Sequence, residues 1–175
     1  MYLMMLGDWP SWPEEHYHRP GSDWRVFPLC YTFPGNDPSR TVWVNGTCSV
    51  CPKTTALLKR IPNIRTALFS RLGSDSELGL HRGWADLSNH ILRSHLGLVI
   101  PGNCAMIVGG ETQYHATGEI LMFDDSKLHK AFNNSESTRI ILIVDVYRPD
   151  HLPRGRAIGA HTDELDDFIS SFGLT

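Results

Sequence analysis

Two stretches of this chain, Leu92–Ile100 (LRSHLGLVI) and Thr138–Tyr147 (TRIILIVDVY), alternate with the two-residue period of a β-strand. In the first, Leu92, Ser94, Leu96, Leu98 and Ile100 share one face, and Arg93, His95, Gly97 and Val99 share the other. In the second, Ile140, Leu142, Val144 and Val146 oppose Arg139, Ile141, Ile143, Asp145 and Tyr147. A strand that is greasy behind and polar in front suits the wall of a polar pocket. An inward-facing arginine must be paired, because burying an unpaired charge is costly. The partner of Arg139 is either Asp145, within the chain, or a ligand carboxylate held by two parallel hydrogen bonds. The residues by themselves favour the internal partner.

The rest of the chain is expected to follow in short pieces. Residues 1–23, rich in Trp, Pro and His, read as an irregular arm packing by its aromatics. Residues 24–33 have strand composition broken by Pro28, and 41–44 form a short strand. A helix is expected over Cys51–Ile61, with Pro52 at its first position and Pro62 ending it. A second short helix is expected over Pro62–Phe69, and a strand or extended loop over 70–80. Further short strands are expected at 104–108 and 119–123, between the glycines at 102, 109, 110 and 118. An amphipathic helix over 163–172 carries Leu165, Phe168, Ile169 and Phe172 on one face. Many short strands with Gly-rich turns point to a mainly β protein: a double-stranded β-helix, jelly-roll or cupin-like, over 24–150, with flanking helices and a tail over 151–175.

Composition narrows the function classes. The 175 residues suffice for one domain with a real core. A net charge of −3 argues against nucleic acid or an acidic membrane surface as the main partner. No apolar run reaches membrane-spanning length and no signal peptide is evident, so a cytoplasmic location is expected. Cys48 and Cys51 make a lone CxxC without a second pair or nearby histidines, and read as reduced thiols. The sequons at Asn45 and Asn133 read as chance matches.

His81 and His129, nearly fifty residues apart, are candidate ligands for a divalent metal. A non-haem iron triad would add a carboxylate two residues after the first histidine, but that position is Gly83. From spacing alone, His81 reads as a partly buried histidine at a turn. Arg93 and His95 share a strand face that would suit an anion or a polar edge. Asp124 and Asp125 read as turn formers.

Four blocks then converge. HRG at 81–83, RSHLGLVIPGNC at 93–104, GEILMFDDSKLH at 118–129 and RIILIVDVYRPD at 139–150 closely resemble the aspartyl/asparaginyl β-hydroxylase family. The resemblance implies an oxygenase on a double-stranded β-helix that uses Fe(II), 2-oxoglutarate as cosubstrate, and O2. It implies that His81 and His129 bind the iron, and glycine at the third position is itself the family pattern. It implies that Arg139 clamps the distal carboxylate of 2-oxoglutarate, with Ser70 beside it. Arg93 and His95 correspond to a pair that contacts cosubstrate and, for Arg93, substrate.

Between His81 and His95 the chain is about three residues longer than in the large animal members, and His90 lies on that insertion as a structural or lip residue. The expected reaction is hydroxylation of an unactivated C–H bond, at the β-carbon of an aspartyl or asparaginyl residue or in a related amino-acid-derived small molecule. The substrate would be a small molecule or peptide with an acidic or amide group, and halogenation is a variant outcome. The rival readings are a cupin-type metal-dependent isomerase or hydrolase and a non-catalytic jelly-roll binding domain. The sequence does not speak to oligomeric state.

Overall fold

The computed structural model describes residues 8–173. Among the described residues, ten strands form two antiparallel sheets packed face to face. The larger sheet has the order β2 (Thr41–Trp43), β1 (Trp24–Thr32), β3 (Ile64–Leu72), β10 (Arg139–Tyr147), β5 (Ile91–Val99) and β8 (Ile120–Phe123). The smaller has β4 (Ser76–His81), β9 (His129–Asn133), β6 (Cys104–Val108) and β7 (Glu111–Tyr114). Four α-helices flank them: α1 (Asn45–Val50), α2 (Pro52–Leu58), α3 (Ala85–Ser88) and α4 (Asp163–Gly173). This is the jelly-roll architecture that the strand pattern implies.

Register decides which side chains meet, because directly paired residues of an antiparallel ladder point the same way. Four rows cross the large sheet. Leu72 pairs with Arg139, and Ser70 with Ile141. Leu68 pairs with Ile143, which pairs with His95; Thr66 pairs with Asp145, which pairs with Arg93. These residues make the inner face, together with Trp24, Val26 and Pro28 of β1. The outer face buries Leu29, Phe69, Ile140 and Leu142 against Trp9 and against Leu58 of α2. Truncating Phe69, 2% exposed, to alanine would cost about 3–5 kcal/mol.

Three expectations need correction. Residues 62–69 are not a helix; from Ile64 onward they belong to β3, hydrogen-bonded to β1 on one side and β10 on the other. A central strand buried on both faces loses the polar–apolar alternation, so its apolar run resembles a short helix in sequence. Pro28 does not break its strand. β2 pairs with β1 only over Cys30–Thr32, so Pro28 has no ladder partner on that side, and a register shift falls beside it. The helix expected over Cys51–Ile61 ends at Leu58 and is preceded by the unexpected α1, which holds Cys48. All four cysteines are free thiols.

The two terminal segments complete the sandwich. Trp12 stacks on Trp24 and on Trp84, at ring-centroid distances of 4.6 and 5.9 Å, and packs against Phe168 of α4. Glu14, 1% exposed, joins the pieces. Its carboxylate accepts hydrogen bonds from Trp12 Nε1 (3.1 Å), Trp84 Nε1 (3.0 Å) and Thr162 Oγ1 (2.9 Å). Burial pushes this carboxyl above the usual range against the pull of those donors. The side chain of Asn133 is buried and donates to the carbonyls of Leu72, Gly73 and Ser137, a structural role for that sequon asparagine.

Candidate active site

His81 ends β4 and His129 opens β9, and the two are ladder partners across the small sheet. Their ring centroids lie 4.3 Å apart. Nδ1 of His81 is 2.7 Å from the carbonyl of Gly79, and Nδ1 of His129 is 2.8 Å from that of Lys127. A carbonyl only accepts, so each Nδ1 carries its proton and each Nε2 keeps a lone pair. This arrangement, with the far nitrogen anchored to the backbone, is how metal-binding imidazoles are oriented. Burial first, then the neighbouring His129, lowers the pKa of His81 to about 4, so it stays neutral and available as a ligand. Among the described residues no group of three or more His, Cys, Asp or Glu is arranged to hold a metal, so the histidine pair is the candidate donor set.

The third position is closed to a side chain. A Cβ on Gly83 would lie 1.8 Å from Ser88 Oγ and 1.9 Å from Asp125 Oδ2. Asp125, which the sequence reading placed in a turn only, occupies that space from the loop before β9. It is fully buried, accepts from Arg93 Nη1 at 2.8 Å and from the Ser88 hydroxyl, and has Oδ1 3.6 Å from His129 Nε2. Burial pushes its carboxyl up, but Arg93 and His129 outweigh that and hold it below the usual range. The clue in the sequence was its place four residues before His129; the turn propensity of Asp-Asp-Ser hid it.

Arg139 is 1% exposed, and no hydrogen bond satisfies its Nε or Nη1. Burial lowers its pKa to about 10, still far above neutrality, so a full positive charge sits there. The expected internal partner is not its partner. Asp145 lies three ladder rows away, where Arg93 grips it with Nε–Oδ1 and Nη2–Oδ2 bonds of 2.8 Å each. Arg139 is thus left without this carboxylate, its Nε and Nη1 unsatisfied.

One cavity joins these groups; it is lined by Ser70, His81, Arg93, His95, Phe123, His129 and Arg139. All six sequence-derived candidates therefore border a single space. Ser70 Oγ accepts from Trp24 Nε1 at 3.0 Å, which leaves its own proton to donate into the cavity. His95 is backed by His115, with Nδ1 to Nε2 at 3.3 Å, and stands edge-on to Phe123. Burial, His115 and Arg139 hold His95 well below the usual histidine pKa. His115, in the loop after β7, has no periodic pattern that would have marked it. His90 lies outside the cavity, beside Arg154.

Comparison with known proteins bears on this geometry. The family model for aspartyl/asparaginyl beta-hydroxylase matches residues 2–149. The chain is 34% identical over 140 residues to aspartate beta-hydroxylase domain-containing protein 2 of Xenopus tropicalis, covering 75% of this chain and 35% of that one. It is 37% identical over 102 residues to an ornithine lipid ester-linked acyl 2-hydroxylase of Rhizobium tropici, covering 57% and 35%. It is 33% identical over 155 residues to human aspartyl/asparaginyl beta-hydroxylase, covering 82% and 18%. The chain thus spans about a third or less of the length of these relatives. Among solved structures, an oxidoreductase of the 2OG-Fe(II) oxygenase family from Burkholderia pseudomallei shares the fold, with a TM-score of 0.56 and 15% identity over 85% of this chain and 77% of that one. No described helix is long and apolar enough to cross a membrane. With the family model spanning most of its length, the chain belongs to the aspartyl/asparaginyl β-hydroxylase family.

Proposed function

We propose that the chain is an Fe(II)- and 2-oxoglutarate-dependent hydroxylase acting on an unactivated C–H bond. One observation carries this reading: a buried guanidinium with unsatisfied donors shares a cavity with two backbone-anchored histidines. An orphan charge in a protein interior is costly, and a carboxylate delivered by a ligand removes that cost. A keto diacid has the two ends this cavity suits, one for a metal and one for a guanidinium.

The donor set fits the metal. Two imidazole nitrogens suit divalent iron, and two protein ligands leave positions for the keto acid and for O2. His81 and His129 would hold the ion, which would supply oxygen activation coupled to decarboxylation of the cosubstrate. The chain's residues do the rest. Arg139 and Ser70 fix the distal carboxylate of 2-oxoglutarate, and His95 offers a further polar contact beside them. Asp125 stands where it can accept a hydrogen bond from water on the open side of the histidine pair. Leu78, Met106, Phe123 and Ile143 keep the chamber apolar and exclude bulk water.

The test is release of succinate from 2-oxoglutarate, followed with and without Fe(II). Turnover that needs both, and that fails in Arg139→Ala, is the expected result. Equal turnover without iron would defeat the reading.

A further inference from the structure

Two buried imidazoles, His95 and His115, stand at the cosubstrate end, and of the two His95 lines the cavity. β7 ends at Tyr114 in the small sheet and β8 begins at Ile120 in the large one, so His115 opens the loop that crosses between the sheets. Gly97 sets where that loop lands. It lies two residues beyond His95 on the inner face of β5, and a Cβ there would come within 2.1 Å of the Ala116 carbonyl oxygen. Gly118 N–H donates to the Gly97 carbonyl at 2.8 Å, and Gly97 N–H donates to the Glu119 carbonyl at 3.0 Å. The missing side chain thus lets the loop bring His115 against His95.

The two rings meet edge to edge. Nδ1 of His95 lies 3.3 Å from Nε2 of His115, the ring planes differ by 14° and the centroids are 5.6 Å apart. Burial leads in lowering both pKa values, so each ring is neutral near pH 7 and carries one proton. One proton must sit between the facing nitrogens, because two would collide and two lone pairs would repel.

The far nitrogen of His115 decides which ring supplies it. That Nδ1 is buried and has no hydrogen-bond partner. The nearby Cys104 carbonyl already accepts the His115 backbone N–H at 2.9 Å, and Nδ1 does not meet it in hydrogen-bond geometry. A proton on Nδ1 would be an orphaned buried donor in the field of the Arg139 guanidinium. On Nε2 the same proton gains an acceptor, Nδ1 of His95. The proton of His95 then belongs on its own Nε2, which has no partner among the described residues.

Building on the proposed oxygenase site, we infer that His115 is a positioning residue: its Nε2–H donates to His95 Nδ1 and fixes the tautomer in which His95 offers an N–H to the cosubstrate carboxylate. Arg139, the Ser70 hydroxyl and His95 then form a wall made only of donors, which suits a carboxylate and opposes a ligand N–H.

Long-range 1H–15N spectra of the metal-free protein tell a protonated ring nitrogen from a bare one. His95 should be protonated at Nε2 and bare at Nδ1, with His115 bare at Nδ1; a His95 protonated at Nδ1 would overturn the inference. Calorimetric titration of 2-oxoglutarate into the Mn(II)-loaded protein reads the consequence without turnover. His115→Leu keeps bulk but has no donor; it should lose the single His95 tautomer and weaken binding about ten- to hundredfold. His115→Gln, whose amide N–H can reach the same acceptor, should keep the tautomer and most of the affinity. Equal affinity in the two variants would reduce His115 to packing and overturn the inference. Should His115→Leu fail to fold, the wild-type spectrum and His115→Gln still decide. Failure of the wild type itself to bind 2-oxoglutarate would defeat the oxygenase reading instead, while the spectra still decide the tautomer.

Discussion

Arg93 grips Asp145 through two parallel hydrogen bonds of 2.8 Å between directly paired positions of β5 and β10. That fork decides the chemistry of the interior. It consumes the carboxylate that the sequence offered to Arg139, and so leaves Arg139 buried and open to a ligand.

In the proposed function, Arg139 destabilises the ligand-free protein and serves the cosubstrate. Arg139→Met should raise the unfolding free energy of the metal-free protein by about 1–3 kcal/mol, because an uncompensated buried charge is replaced by a side chain of similar shape. The same variant should weaken 2-oxoglutarate binding by roughly a hundredfold or more. Urea melts and calorimetric titration with 2-oxoglutarate would check the pair. A less stable variant with unchanged binding would contradict the assignment.

Gly83 has no room for a carboxylate that would add to the histidine pair. Its Cβ would overlap Asp125 Oδ2 and Ser88 Oγ, both buried. Gly83→Asp also sets a second carboxylate against Asp125. A loss of at least about 3 kcal/mol is expected from overpacking plus charge repulsion. Gly83→Ala shares the steric part without the charge. A well-folded Gly83→Asp protein binding iron more tightly would refute this.

Acid should destabilise the metal-free protein through its interior histidines. His81 and His115 are lowered to about 4, burial leading, and burial also holds His95 well below the usual histidine range. Between pH 6.5 and about 4 the unfolded chain binds protons at these positions that the folded chain does not. Stability should fall as pH falls through that window. Glu14 and Asp145, whose carboxyls burial pushes up, act in the opposite sense. The diagnostic is therefore the difference between proteins: His115→Gln should show a shallower decline in urea midpoint from pH 6.5 to 4.5 than the wild type. Parallel curves would remove His115 from the account.

Glu14 ties the N-terminal arm to the loop carrying Trp84 and to the segment leading into α4. Glu14→Gln sets an NH2 group against indole and hydroxyl donors and leaves buried hydrogens unmatched, at a cost of about 1–3 kcal/mol. Hydrogen exchange should accelerate over 8–24 and 162–173 with little change in β10. Uniform acceleration through both sheets would mean that the contact supports global folding instead.

The amino-acid pattern on its own determined the strands that alternate, the greasy back and polar front of β5, and the C-terminal helix expected over 163–172, because side-chain period is a local property. The blocks around His81, His129 and Arg139 likewise marked the family. Partner choice was not local. Asp145 is six residues from Arg139 and fifty-two from Arg93, yet register placed it opposite the distant one. Asp125 looked like a turn former until the fold set it against Gly83 and His129, and residues 64–69 passed for a helix because burial on both faces erases alternation. A cavity beneath α4 is assembled from the N-terminal arm, β1, β3 and the C-terminal helix, whose proximity exists only once the chain has closed around the large sheet.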